Sequence, residues 1–136
     1  SAPWRRGVLA AFGKRVDAMA VKRIVANIET PDPALAKGFY GDILGMEIAM
    51  DHGWIMSFAS EGRALAQVSV ASEGGSGTPV PALSIEVDNL DEVLGRMIEA
   101  GIPLEYGPAS EPWGVRRVYV RDPFGTLVNI LSHEAV

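Results

Sequence analysis

The chain contains no cysteine, which excludes a disulfide framework, a thiolate metal centre and a cysteine nucleophile together. Aromatic residues are few, at 7%. No apolar run approaches the roughly 18 residues needed to cross a bilayer, and no hydrophobic segment with a cleavage site is visible. Positive charge is in the minority, with 12 Lys and Arg against 17 Asp and Glu, a net charge of −5. The molecule as a whole therefore does not attract nucleic acid. Catalytic signatures are missing too: there is no G-x-S-x-G elbow and no Rossmann fingerprint, and Gly74-Gly75-Ser76-Gly77 lacks the Lys and helix of a phosphate-binding loop. These absences leave a cytoplasmic protein as the expectation, with a small organic ligand as partner and neither nucleic acid nor membrane.

What is present is enough for one folded domain: 136 residues, 48% hydrophobic and 21% charged. Charge is unevenly placed. Arg5, Arg6, Lys14, Arg15 and Lys22 face only Asp17 within residues 1–22, a net +4, so the remainder carries −9. Trp4, Val8, Phe12, Val16 and Met19 recur at helical spacing there. Residues 1–20 read as a basic amphipathic extension, either a membrane-surface or targeting helix, or a helix packed on the domain or on a second subunit.

From Val21 the chain reads as two similar modules, residues 21–71 and 80–133, joined by a flexible Gly- and Ser-rich link over 72–79. Each opens with an alternating strand, residues 23–28 and 82–87. In the first module Asp32 and Pro33 start a helix whose buried face is Leu35, Phe39 and Ile43, and Gly45 ends it. In the second, Asn89 and Glu92 form a capping box, Leu90, Val93 or Leu94, and Met97 or Ile98 supply the apolar face, and Gly101 ends the helix. Three further strands follow in each: residues 47–50, 54–59 and 65–70, then 104–106, 116–121 and 127–132. The order βαβββ, written twice, predicts an α+β fold with a curved eight-stranded mixed sheet around a concave cup.

Two segments carry a resemblance. Phe39-Tyr40-Gly41-Asp42-Ile43-Leu44-Gly45-Met46 and Asp122-Pro123-Phe124-Gly125-Thr126-Leu127-Val128-Asn129, set in the doubled βαβββ pattern, are similar to the vicinal oxygen chelate superfamily. That superfamily includes glyoxalase I, extradiol dioxygenases, fosfomycin-resistance enzymes and bleomycin-resistance proteins. The resemblance spans about residues 21–133 and implies the fold without naming a reaction. It also implies a homodimer and, in the enzymes, one divalent metal held by His, Glu or Gln from the first and fourth strands of each module. Carried over by strand pattern, those positions fall on Arg23, Gln67, Ala82 and Asn129. None is a histidine or carboxylate, so the expectation is that no metal or other cofactor is held. His52, in a hairpin turn, reads as a solvated residue and His133 as a surface or dimer-contact residue.

Strand alternation turns Arg23, Val25 and Asn27 to the cup and packs Ile24, Ala26 and Ile28 under the helices. The same parity turns Ala82, Ser84, Glu86, Gln67, Ser69 and Asn129 inward. In the last module Arg117 and Tyr119 face inward, with Trp113 at the strand entry and Trp54 as a second aromatic wall. The candidate ligand-binding residues are therefore Asn27, Trp54, Gln67, Ser84, Glu86, Trp113, Arg117, Tyr119 and Asn129. Such a set suits a planar or anionic organic molecule. It is equally compatible with a self-satisfied polar network in which Trp113 anchors a loop and Arg117 pairs with Glu86. Three functions remain open: a metal-independent binder, a metal-dependent lyase or dioxygenase using Gln67, Glu86, Asn129 and His52, and a metal-free isomerase or lyase with Glu86 as catalytic base and Arg117 holding an enolate.

Overall fold

The computed structural model describes residues 20–60 and 67–134. The amphipathic helix expected over the N-terminal extension lies outside the described residues. Eight strands form: β1 Val21–Glu29, β2 Glu47–Asp51, β3 Ile55–Ala59, β4 Gln67–Ala71, β5 Leu83–Val87, β6 Tyr106–Ser110, β7 Val115–Arg121 and β8 Leu127–His133. Their order in one mixed sheet is β2-β3-β4-β1-β5-β8-β7-β6, the α+β arrangement expected. Residues 25–83 make one compact unit; residues 84–134, with the start of β1, make the other. The borders thus fall beside Ile24 and Leu83 rather than in the Gly-rich link. That link is itself hydrogen-bonded: Gly74 donates to Thr78 O at 2.8 Å and Gly77 donates to Glu73 Oε1 at 3.0 Å.

In the unit of residues 25–83, β1 runs parallel to β4, and β2, β3 and β4 are antiparallel neighbours. One sheet face carries Met56, Phe58 and Val70, packed by Ala36, Tyr40, Met46 and Val68. Phe58 is fully buried, worth about 1.5–3 kcal/mol relative to an exposed ring. The first helix departs from the sequence reading. Asp32 does cap it, accepting from Ala34 N, but only a 3₁₀ turn follows (Pro33–Leu35), then a π-helical segment (Lys37–Ile43). The expected face is turned outward: Leu35 is 75% exposed, Phe39 53% and Ile43 73%. The wider winding brings Ala36 and Tyr40 onto the sheet instead, with the Tyr40 ring 5.7 Å from Phe58. Ala26 and Ile28 do point to the helix-side face, since they pair with Val68 and Val70, and Ile24 shares their parity, yet all three are exposed.

The C-terminal unit follows its sequence closely. Asn89 Oδ1 accepts from Glu92 N at the start of helix α1 (Leu90–Glu99), and Asp91 and Glu92 meet the positive end of the helix dipole. Leu90, Val93 and Met97 pack on Val118, Val120, Val128 and Ile130. Strand β6 lies later than the expected 104–106, at Tyr106–Ser110, with Gly107 and Pro108 inside an irregularity of its pairing with β7. The Asp122-Pro123-Phe124-Gly125 turn is explained locally: Asp122 Oδ1 accepts from both Phe124 N and Thr126 N at 2.9 Å, and Gly125 takes φ +81°.

Candidate functional site

Strand parity decides which side chains meet on the helix-free face of each unit. In residues 25–83 the register places Asn27 beside Ser69 and Ser69 beside Ser57. The two serines are buried and share a 2.6 Å hydrogen bond. Gln67 lies opposite Ala59 on the same face. Ser57 is a polar member that the sequence reading missed, although its alternation with Met56 and Phe58 contains the signal. Trp54 sits at the β2–β3 hairpin, its ring stacked on His52 at 6.2 Å. There Gly53, with φ +82°, donates to Asp51 Oδ1, so His52 is an exposed turn residue as expected.

The C-terminal unit holds two clusters. Around Arg117, Nε donates to Glu111 Oε2 at 2.6 Å, and Tyr106 OH donates to the same oxygen at 2.8 Å. The guanidinium carbon lies 5.2, 5.1 and 5.0 Å from the ring centres of Tyr106, Trp113 and Tyr119. Both charged side chains are only 4% exposed. Arg117 and Tyr119 therefore do share this face with Trp113, but the counterion of Arg117 is Glu111, not Glu86. Three aromatic faces and one carboxylate enclose the cation and compensate its desolvation.

The second cluster joins β1, β5 and β8. Glu86 is 7% exposed. Its Oε1 lies 2.6 Å from Arg23 Nε, and its Oε2 lies 2.8 Å from His133 Nδ1 and 3.9 Å from Lys22 Nζ. Burial pushes the Glu86 pKa up, but the His133 hydrogen bond and the Arg23 charge outweigh it and hold the carboxyl below its ordinary value. On the same face Asn129 Nδ2 donates to Ser84 Oγ at 3.1 Å. Asn129 Oδ1 is buried and accepts no hydrogen bond among the described residues. His133 is exposed at the surface, as expected, and its place two and four residues beyond Leu131 and Asn129 on β8 puts it on their face.

A divalent cation needs several anionic or imidazole donors converging. Among the described residues no group of three or more His, Asp or Glu is placed to hold one. Ala26 pairs with Val68, which brings Val25 level with Gln67, while Arg23 is tied to Glu86. Within residues 25–83 an apolar Val25, an exposed Ala82 and the neutral amide of Gln67 make poor metal donors, and in the other unit so does the neutral amide of Asn129.

A family model described as Glyoxalase/Bleomycin resistance protein/Dioxygenase superfamily matches residues 21–130. No curated protein matches the chain in sequence. Among solved structures, the chain is similar to one described as an NAD-dependent benzaldehyde dehydrogenase from Legionella pneumophila, with TM-score 0.65 and 15% identity over 82% of this chain and 100% of that one. It is similar to a glyoxalase/bleomycin resistance protein/dioxygenase superfamily member from Vibrio splendidus 12B01, with TM-score 0.57 and 18% identity over 83% and 99% of the two chains. A methylmalonyl-CoA epimerase from Mycobacterium tuberculosis gives TM-score 0.56 and 19% identity over 85% and 88%. At these identities the likeness concerns the fold.

Proposed function

Because the chain belongs to the glyoxalase/bleomycin resistance protein/dioxygenase superfamily, we propose that it binds a small organic molecule without the help of a metal ion. The observation that carries this reading is the Asn129 amide. At the last-strand position where the family's enzymes place a metal ligand, Nδ2 is given to Ser84 and buried Oδ1 awaits a donor. A buried acceptor without a partner is costly, about 1–3 kcal/mol, and a ligand N–H or O–H relieves that cost. Glu86, a carboxylate on the same face, is already engaged by Arg23 and His133. Neutral amide recognition, rather than metal chelation, is what these residues support.

The test is the metal content of untagged protein purified without chelator, followed by thermal shift. The expectation is far less than one equivalent of Zn, Ni, Mn or Fe per subunit and no rise in Tm on adding these ions, with stabilisation by organic ligands instead. About one equivalent of metal would replace this reading with that of a metal-dependent lyase or dioxygenase.

The binder is proposed to act as a homodimer. Ile28, Leu35, Phe39, Ile43, Leu44 and Ile48 are exposed in the 25–83 unit, more apolar surface than scattered single residues usually leave in water. A sedimentation mass of 14.5 kDa at micromolar concentration would contradict it.

A further inference from the structure

One face of β1 is left uncovered. Ala26 and Ile28 lie on the helix-side face, Ile24 shares their parity, and Ile24 is 57% and Ile28 42% exposed. The strand has paired neighbours on both sides, β4 and β5. An apolar strip on an inner strand is ordinarily covered by a second layer of structure, and a strip one strand wide needs a cover about one helix wide.

The chain that leads into β1 has the matching pattern. Ala20 is fixed at the strand start, where its N donates to Asp88 Oδ1 at 2.8 Å and its O accepts from Asp88 N at 3.1 Å. Residues 1–19, just before it, lie outside the described residues and carry the stripe Trp4, Val8, Phe12, Val16 and Met19. Gly7 and Gly13 weaken such a helix on its own, so its stability has to come from an apolar surface. The spacings agree. Four helical residues advance about 6 Å and two strand residues about 6.6 Å, so successive members of the stripe come level with successive outward residues of β1. A helix over residues 4–19 is about 24 Å long, against roughly 30 Å for β1. Folded back from Ala20, it brings Val8 level with Ile24 and Trp4 level with Ala26, whose small side chain leaves room for an indole. Charge agrees as well. Arg5, Arg6, Lys14 and Arg15 face only Asp17 in the segment, whereas residues 25–83 carry seven acids against Lys37 and Arg63, and Glu29 closes the far end of β1, where Arg5 and Arg6 arrive.

We propose that the partner of this face is the chain's own segment 1–19, folded back as an amphipathic helix over Ile24, Ala26 and Ile28. The segment is then a covering layer of the sheet and not a membrane-surface or targeting helix. Ile28 belongs to this contact, which leaves Leu35, Phe39, Ile43, Leu44 and Ile48 as the apolar surface for a second subunit. The proposal is independent of metal-free binding and stands or falls separately from it.

The protein has no cysteine, so two introduced thiols report on each other alone. In the full chain at low micromolar concentration, Val8→Cys with Ile24→Cys is expected to close an intramolecular disulfide at least about tenfold faster than Ala10→Cys with Ile24→Cys, whose first thiol lies on the opposite side of the helix. In the single variant Ile24→Cys, maleimide labelling is expected to be at least about tenfold slower than in Ile24→Cys carrying Val8→Asp and Phe12→Asp, because the cover must open before the thiol reacts. Both charged substitutions lie before β1 and leave the sheet itself unchanged. Equal closure by the two cysteine pairs, or equal labelling with and without the charged substitutions, overturns the proposal. Disulfide-linked dimers in place of the intramolecular bond assign the helix to a second copy and overturn it too. Labelling of Ile24→Cys that slows only when phosphatidylserine vesicles are added overturns it in favour of a membrane-surface helix.

Discussion

Arg117 and Glu111 form a buried ion pair, Nε to Oε2 2.6 Å, inside a ring of Tyr106, Trp113 and Tyr119. Removing one partner strands the other's charge in the protein interior. Arg117→Ala is therefore expected to destabilise by about 3–5 kcal/mol. The double change Arg117→Met with Glu111→Leu is expected to cost less than Arg117→Ala alone. Urea titration of the three proteins measures both, and a double variant worse than the single one would show that the pair contributes more than its own compensation.

Glu86 carries a pH signature. Its folded-state pKa is lowered from the ordinary value of 4.5, so between the folded and unfolded values the unfolded chain binds more protons. The stability contributed by this carboxylate is complete above the unfolded value and is lost as pH falls through the lowered folded value. Unfolding free energy measured from pH 7 down to pH 3 is expected to fall less steeply in Glu86→Gln than in wild type. Parallel curves would remove Glu86 from the account.

Two glycines predict opposite signs. At Gly107, φ is +83° and an added Cβ would collide with Arg117 O, a backbone atom that cannot swing aside. Gly107→Ala is expected to cost at least about 1–3 kcal/mol. Gly95 is helical, with open space around it, and Gly95→Ala is expected to stabilise by about 0.5–1 kcal/mol. Thermal denaturation of the two variants separates these outcomes.

Phe58 and Leu35 test the altered helix. Phe58→Ala removes a fully buried ring and is expected to cost about 3–5 kcal/mol. Leu35→Ser, at a position 75% exposed, is expected to stay within about 0.5 kcal/mol. A large loss at Leu35 would mean that the apolar stripe is covered in solution, in the subunit contact proposed above.

The elements legible in the sequence are those set by local chemistry. The Asn89 cap and the Asp122 turn are each made by a side chain bonding backbone within four residues, so their motifs suffice. Alternation likewise assigned Ser84, Glu86, Arg117, Tyr119 and Asn129 to the correct face. What could not be read depends on partners distant in sequence or on winding. The i, i+4 stripe of Leu35, Phe39 and Ile43 fits an α-helix, and nothing local announces π-helical winding. The counterion of Arg117 comes from the loop before its strand, where periodicity gives no phase. His133, 47 positions from Glu86, could have been caught by extending the β8 alternation two residues past Leu131.

The border beside Ile24 makes the two repeats unequal. Arg23 and Lys22 begin the first repeat in sequence, yet both serve Glu86 in the second. A gene cut at the Gly-rich link would yield a C-terminal fragment with its buried carboxylate stripped of both cations. The repeat in sequence and the compact unit in space are thus offset by one strand end: the second half takes its two counterions from residues that open the first.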